Sequence, residues 1–253
     1  MSHIAVSKAD RILEIRIDRP EKKNAITVEM YGQIADALRQ GDADADVRAM
    51  LITGTGDVFT SGNDLNDFLK APPTSEDSPT YRFLRGLARI EKPLVAAVNG
   101  LAVGIGSTML LHCDLVYAAE TSWFQFPFVR LALVPEAASS LLLPLRVGQA
   151  RAAEMLLLSE NITAPQALAA GLINGVFPAG EVYGEARSRA LRLTELPPAA
   201  VRTTKALMRP TPEQMLARMG EEGKAFSAQL TSPEAKEAFT AFLEKRKPDF
   251  SRF

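Results

Sequence analysis

Cysteine occurs once in this chain, at Cys113, and histidine twice, at His3 and His112. A single thiol excludes an intrachain disulfide, and the three residues have no recognisable metal-ligand spacing. His112-Cys113-Asp114 is expected to be structural, at a junction between helix and strand. Neither sign of charge dominates: 29 basic and 30 acidic residues leave a net charge of −1. No global field therefore draws the protein to nucleic acid or to an anionic membrane. No apolar run approaches the ~20 residues of a membrane span, so no membrane insertion is expected. The N-terminus lacks a basic segment followed by an apolar core, so no signal peptide is expected. Ser251-Arg252-Phe253 differs from a peroxisomal Ser-Lys-Leu end. A cytoplasmic location is the simplest expectation.

What is present is ordinary for a globular protein: 47% hydrophobic and 23% charged residues over a length of 253, enough for a sizeable core. Leu13, Ile15 and Ile17 alternate with Glu14, Arg16 and Asp18, the pattern of a half-buried strand. After the polar turn Arg19 to Asn24, Thr27 suits an N-cap, and Met30, Ile34 and Leu38 form one stripe of an amphipathic helix. Ala49 to Gly54, Leu94 to Val98 and Asp114 to Ala119 are continuous apolar strands separated by helical patterns. Such strands are covered on both faces, which indicates an α/β fold. The segment from Ala71 to Pro79 is polar and proline-rich, and is expected to be a loop over a site. Thr163-Ala164-Pro165 starts a helix that Gly171 ends, and Leu172 to Phe177 is expected to be the last strand. Helices dominate thereafter, with a capping box at Thr211 to Gln214 and a further start at Ser232. Residues 1–196 form the strand–helix core and 197–253 a helical tail. A tail without a complete core of its own often packs on a neighbouring subunit.

Two glycine-interrupted turns carry the chemistry. Phe59-Thr60-Ser61-Gly62-Asn63-Asp64 and Asn99-Gly100-Leu101-Ala102-Val103-Gly104-Ile105-Gly106 each follow a buried strand and lead into a helical pattern. Two such turns can aim backbone N–H groups at one point, the build of an oxyanion hole. The donors would be the N–H groups of Asn63 and Ile105, the second at a helix start where peptide dipoles favour negative charge. Donors aimed at developing charge are worth ~3–4 kcal/mol each. Against an acyl thioester they would acidify the carbon beside the carbonyl.

These stretches resemble the crotonase (enoyl-CoA hydratase/isomerase) superfamily over nearly the whole chain. The resemblance rests on Arg19-Pro20 with Asn24-Ala25, Phe59 to Leu65, Lys92-Pro93-Leu94-Val95-Ala96-Ala97-Val98-Asn99-Gly100 and Cys113 to Ala118. Ala170-Gly171-Leu172-Ile173 and Phe242-Leu243-Glu244-Lys245-Arg246-Lys247-Pro248 complete the series. It implies a spiral of ββα units, a C-terminal helical trimerisation region, assembly as a homotrimer or a dimer of trimers, and acyl-CoA as substrate. No metal or redox cofactor is implied. Asn63 and Ile105 match the two oxyanion donors. Lys23 and Ala25 match the stretch lining the adenine and pantetheine side. Ser61, Gly62, Asp64, Leu65 and Gly104 flank the donors and would contact CoA, Asp64 being equally suited to cap the helix after it. Lys245 and Lys247 could reach a CoA phosphate, although a solvated helix end explains them as well.

The departures point to one reaction. Hydratases of the superfamily carry two catalytic glutamates, and the matching positions are Thr108 and Phe128. Neither can hold a water and shuttle its proton as a carboxylate pair does. Glu136 stands where hydratases usually have glycine and where peroxisomal-type Δ3-Δ2-enoyl-CoA isomerases have their single base. The resemblance therefore implies a double-bond isomerase of unsaturated fatty-acid β-oxidation, with Glu136 as acid and base in a pocket made by Phe126, Phe128 and Leu133 together with Leu131, Leu141 and Leu142. An enoyl-CoA hydratase, another crotonase-type reaction, or a non-catalytic CoA-binding protein are the alternatives.

Overall fold

The computed structural model describes residues 2–64, 67 and 77–253. Leu65 and most of the proline-rich segment (residues 71–76) lie outside the described residues. A six-stranded sheet contains, in spatial order, β1 (Ile4–Ala9), β2 (Ile12–Ile17), β3 (Ala49–Gly54), β5 (Leu94–Val98), β7 (Leu115–Ala119) and β10 (Gly175–Phe177). Only β1 and β2 are antiparallel; every other neighbouring pair is parallel. A second sheet of four short strands runs β4 (Val58–Thr60), β6 (Leu101–Val103), β8 (Trp123–Gln125) and β9 (Ile162–Thr163).

The continuous apolar strands serve two cores, as expected for strands covered on both faces. Met50, Ile52, Leu94, Ala96, Val98, Val116 and Ala118 join the main cluster. Their alternates Ala49, Leu51, Val95, Ala97, Tyr117 and Ala119 face Val182, Ala186 and Ala190 of a helix over residues Val182–Thr194. Helix α1 (Val28–Ala43) is capped by Thr27, whose side chain accepts the Met30 N–H, and buries Met30, Ile34 and Leu38. It packs beside α2 (Pro79–Arg89). Helix α3 (Ile105–Thr108) continues as a tight turn to His112. Then follow α4 (Ser139–Val147), α5 (Gln149–Ala153), α6 (Ala164–Ala169), α7 (Val182–Thr194), α8 (Pro198–Met208), α9 (Pro212–Leu230) and α10 (Pro233–Leu243). Among the described residues no helix is long and apolar enough to cross a membrane.

One expectation is corrected. The last strand begins at Gly175, not Leu172. Gly171 caps α6 with a positive φ, and the Leu172 N–H turns back to the Ala167 carbonyl. That cap uses up Leu172, and pairing with β7 starts only at Asn174, whose N–H donates to the Val116 carbonyl. Within the helical tail, Met215, Met219, Ala235 and Phe239 are members of the main core.

Candidate active site

Strands β4 and β6 are parallel neighbours, with Val58 opposite Leu101, so the turns that leave their C-terminal ends emerge side by side. Glycine lets them touch. Gly62 has φ of 90°, and a Cβ there would stand 2.6 Å from the Val103 carbonyl oxygen. A Cβ at Gly106 would stand 3.0 Å from the Thr60 carbonyl oxygen. Within the first turn, the Ile26 N–H donates to the Gly62 carbonyl and the Asp64 N–H to the Ile26 carbonyl, at 2.8 and 2.9 Å. The intervening Asn63 N–H therefore faces away from Ile26. Ile105 is the first residue of α3, so its N–H has no acceptor inside the helix. Both residues line one cleft of about 580 Å³, together with Ala25, Ser61, Gly62, Asp64 and Gly104.

A second cavity of about 280 Å³, called the inner cavity below, adjoins the cleft between α1, α2 and α9. Asn63, Glu136 and Phe226 line both spaces. The carboxyl of Glu136 thus stands at the waist between cleft and inner cavity. Glu136 is half-buried, and the exposed part faces the cavities it lines. Burial pushes its pKa up to about 8; the hydrogen bond from the Thr108 hydroxyl opposes that rise and the Glu222 carboxylate adds to it. Thr108 itself is fully buried. The Tyr31 hydroxyl donates to Asn63 Oδ1. Burial, and then the charge of Glu136, hold the Tyr31 pKa well above its ordinary value, so the phenol keeps its proton.

The backbone that presents Glu136 is strained: Ala137 and Ala138 have φ of 59° and 56°. His112 Nε2 donates to the Ala137 carbonyl at 2.8 Å. Burial lowers the pKa of His112 to about 4 and raises that of the neighbouring Cys113 to about 12. Both are neutral structural groups at neutral pH, in keeping with the expectation for this pair.

Several expected residues sit elsewhere. Lys23 is exposed and does not line the cleft. Its φ of 52° turns its carbonyl to the Ser61 N–H, and Lys22 takes the place beside the cleft. Phe126 is fully buried in the core, because the alternation that turns Phe124 inward turns Phe126 inward too. Phe128, Leu131 and Leu133 line the cleft, whereas Leu141 and Leu142 do not. Asp64 is paired with Arg19 at 2.8 Å and accepts the Asp67 N–H, the bond an N-cap makes. Lys245 and Lys247 give way to Arg246 and Pro248 at the mouth.

Tyr31, Glu222 and Phe226 were not anticipated. One signal was present. Met215, Met219, Glu222 and Phe226 share a helical stripe, and a carboxylate in an apolar stripe marks a buried polar contact.

The sequence matches the family model described as enoyl-CoA hydratase/isomerase over residues 7–252. It is 38% identical over 250 residues to enoyl-CoA delta isomerase 2 of Rattus norvegicus, a match covering 96% of this chain and 64% of that protein. The chain therefore spans just under two thirds of that relative. It is 34% identical over 253 residues to 2,3-dehydroadipyl-CoA hydratase of Escherichia coli (strain K12), covering 99% of each. The fold resembles that of an enoyl-CoA hydratase/isomerase from Pseudoalteromonas atlantica T6c, with a TM-score of 0.95, 45% identity and coverage of 98% of this chain and 100% of that one.

Proposed function

The chain belongs to the enoyl-CoA hydratase/isomerase family, and on that premise we propose that it moves the double bond of a 3-enoyl-CoA from C3 to C2 by a proton shift at Glu136. The thioester carbonyl oxygen lies between the N–H groups of Asn63 and Ile105. Ionised Glu136 takes a proton from C2; the electron pair left there spreads through the carbonyl to the thioester oxygen and through C3=C4 to C4, forming a dienolate. The same carboxyl then returns the proton at C4, so protons and electrons balance without water or a second carboxylate. The acyl chain occupies the inner cavity, and Lys22 and Arg130 at the cleft offer positive charge to the CoA phosphates.

One observation carries the isomerase reading over the hydratase reading. The described carboxylates lining the two spaces are Asp64, Glu136 and Glu222. Asp64 is engaged by Arg19, and Glu222 accepts three hydrogen bonds from backbone and serine donors. Glu136, with Thr108 in the place of a partner acid, is left to carry protons alone. Glu136→Gln should keep acyl-CoA affinity and lose about 10³-fold or more in isomerisation of 3-hexenoyl-CoA, followed by the absorbance of the conjugated thioester. Equal turnover by the variant overturns the assignment, and rapid loss of that absorbance from crotonyl-CoA would assign hydration instead.

Association into trimers, single or paired, and a cytoplasmic location belong to the same proposal. Leu207 and Met208 at the end of α8 are 83% and 74% exposed, apolar surface suited to burial against another copy. Light scattering should return three or six chain masses; a monomer refutes the assembly.

A further inference from the structure

Glu222 occupies an apolar stripe of α9 where a carboxylate is costly to bury; it is 6% exposed. Its partners explain its presence. Oε2 accepts the Ala138 N–H at 2.7 Å, and Oε1 accepts the N–H and hydroxyl of Ser140 at 2.9 and 2.5 Å. These donors sit at the start of α4, immediately after Glu136. Ala137 and Ala138 are alanines with positive φ, a conformation that persists only where the surroundings impose it. The carboxylate of Glu222 imposes it from the α9 side, and His112 from the other by holding the Ala137 carbonyl.

We propose that Glu222 is a positioning residue for Glu136: it locks the turn over residues 136–138 and so aims the Glu136 carboxyl at the waist between cleft and inner cavity. The proposal rests on Glu136 being the proton carrier. Its second consequence is electrostatic. Glu136 and Glu222 line the same inner cavity, and the charge of Glu222 disfavours ionisation of Glu136. The groups facing the pair are Tyr31 from α1, Tyr81 from α2, Thr108 from α3 and Arg218 on α9 itself. Burial raises the pKa of Glu222, and its three donors and Arg218 draw it back.

Glu222→Gln cannot accept all three bonds, and it removes the charge. A displacement of about 1 Å in a reacting group can cost on the order of 10²-fold, so kcat for 3-hexenoyl-CoA should fall about 10- to 100-fold with little change in KM. The acid limb of the pH–rate profile should move to lower pH, because a like charge has gone. A residue that merely stabilises α4 would lower the melting temperature without moving that limb. Glu222→Asp keeps the charge but withdraws the carboxylate by one methylene. It should lose kcat with the limb in place, and it serves as the test if the glutamine variant does not fold. Glu136→Gln is measured in parallel. Retained activity there overturns the isomerase reading; an inactive Glu136→Gln beside a Glu222→Gln with unchanged kcat and unchanged limb overturns the role of Glu222 alone. Unchanged kcat in Glu222→Asp overturns it as well.

Discussion

At the residue scale the proposed chemistry depends on how tightly one carboxyl holds a proton. A general base in a site of this kind works best with a pKa near the working pH, where it takes a proton and still gives it back. Burial pushes the pKa of Glu136 up to about 8, and two neighbours adjust it in opposite directions. Thr108 donates a hydrogen bond to the ionised form and favours it, whereas the charge of Glu222 disfavours it. With Glu136 as the proposed proton carrier, its ionised form is the active one, so kcat/KM should rise with pH through a limb near 8. Because Glu136 and Glu222 interact, that limb belongs to the pair. Thr108→Val removes the donor and should displace the limb upward, opposite to the displacement in Glu222→Gln. A pH–rate profile in 3-hexenoyl-CoA checks it; a downward or absent displacement rejects the assigned role of Thr108.

At the scale of elements, the site is assembled from turns and from the tail that covers them. Helix α10 presents Glu237, which grips Arg246 with both oxygens, accepts the Asp249 N–H at 2.8 Å and reaches Arg252 at 3.3 Å. The Arg246 guanidinium, and then the Asp249 N–H, hold the pKa of Glu237 down to about 2. The clasp therefore stays charged at any working pH. Arg246 and Pro248, the residues it secures, line the cleft mouth. Glu237→Ala should loosen that wall and raise KM for the CoA ester several-fold, leaving kcat nearly unchanged. Steady-state kinetics decides it, since a loss confined to kcat would contradict a role at the mouth. These elements also mark what local sequence could reveal. The caps at Thr27, Thr163 and Thr211 and the glycine turns at Gly62 and Gly106 were legible because each depends on residues within a few positions. The grip of Glu222 on Ala138 crosses 84 positions, and that of Tyr31 on Asn63 crosses 32. Nothing in the periodicity of α9 or α1 names those partners, so these contacts around Glu136 became visible only in three dimensions. Phe126 failed for a related reason: apolar character marks a buried residue but not which buried space it lines.

At the scale of the whole molecule, the burial that raises the pKa of Glu136, and that the proposed proton shift would use, works against stability. In the unfolded chain the carboxyl takes its proton near 4.5, and in the folded protein near 8. The folded state holds the proton more tightly, so this group's contribution to stability is complete below pH 4.5 and is lost as pH rises through about 8. Above that range the fold carries an ionised carboxyl in a place that resists it. The partial exposure of the side chain softens the penalty, which is on the order of 2–4 kcal/mol. Glutamine at this position has the same shape and no charge to bury. Glu136→Gln should therefore melt at a higher temperature than the unaltered protein at pH 9, with the gap narrowing as the pH falls toward 5. Calorimetry across that range reads the difference directly. A constant gap, or a lower melting temperature for the variant at pH 9, would mean that the Glu136 carboxyl is not held against its ionised form. The same variant is the one expected to be inactive, so a gain in stability paired with loss of turnover is what a site with a strained base predicts.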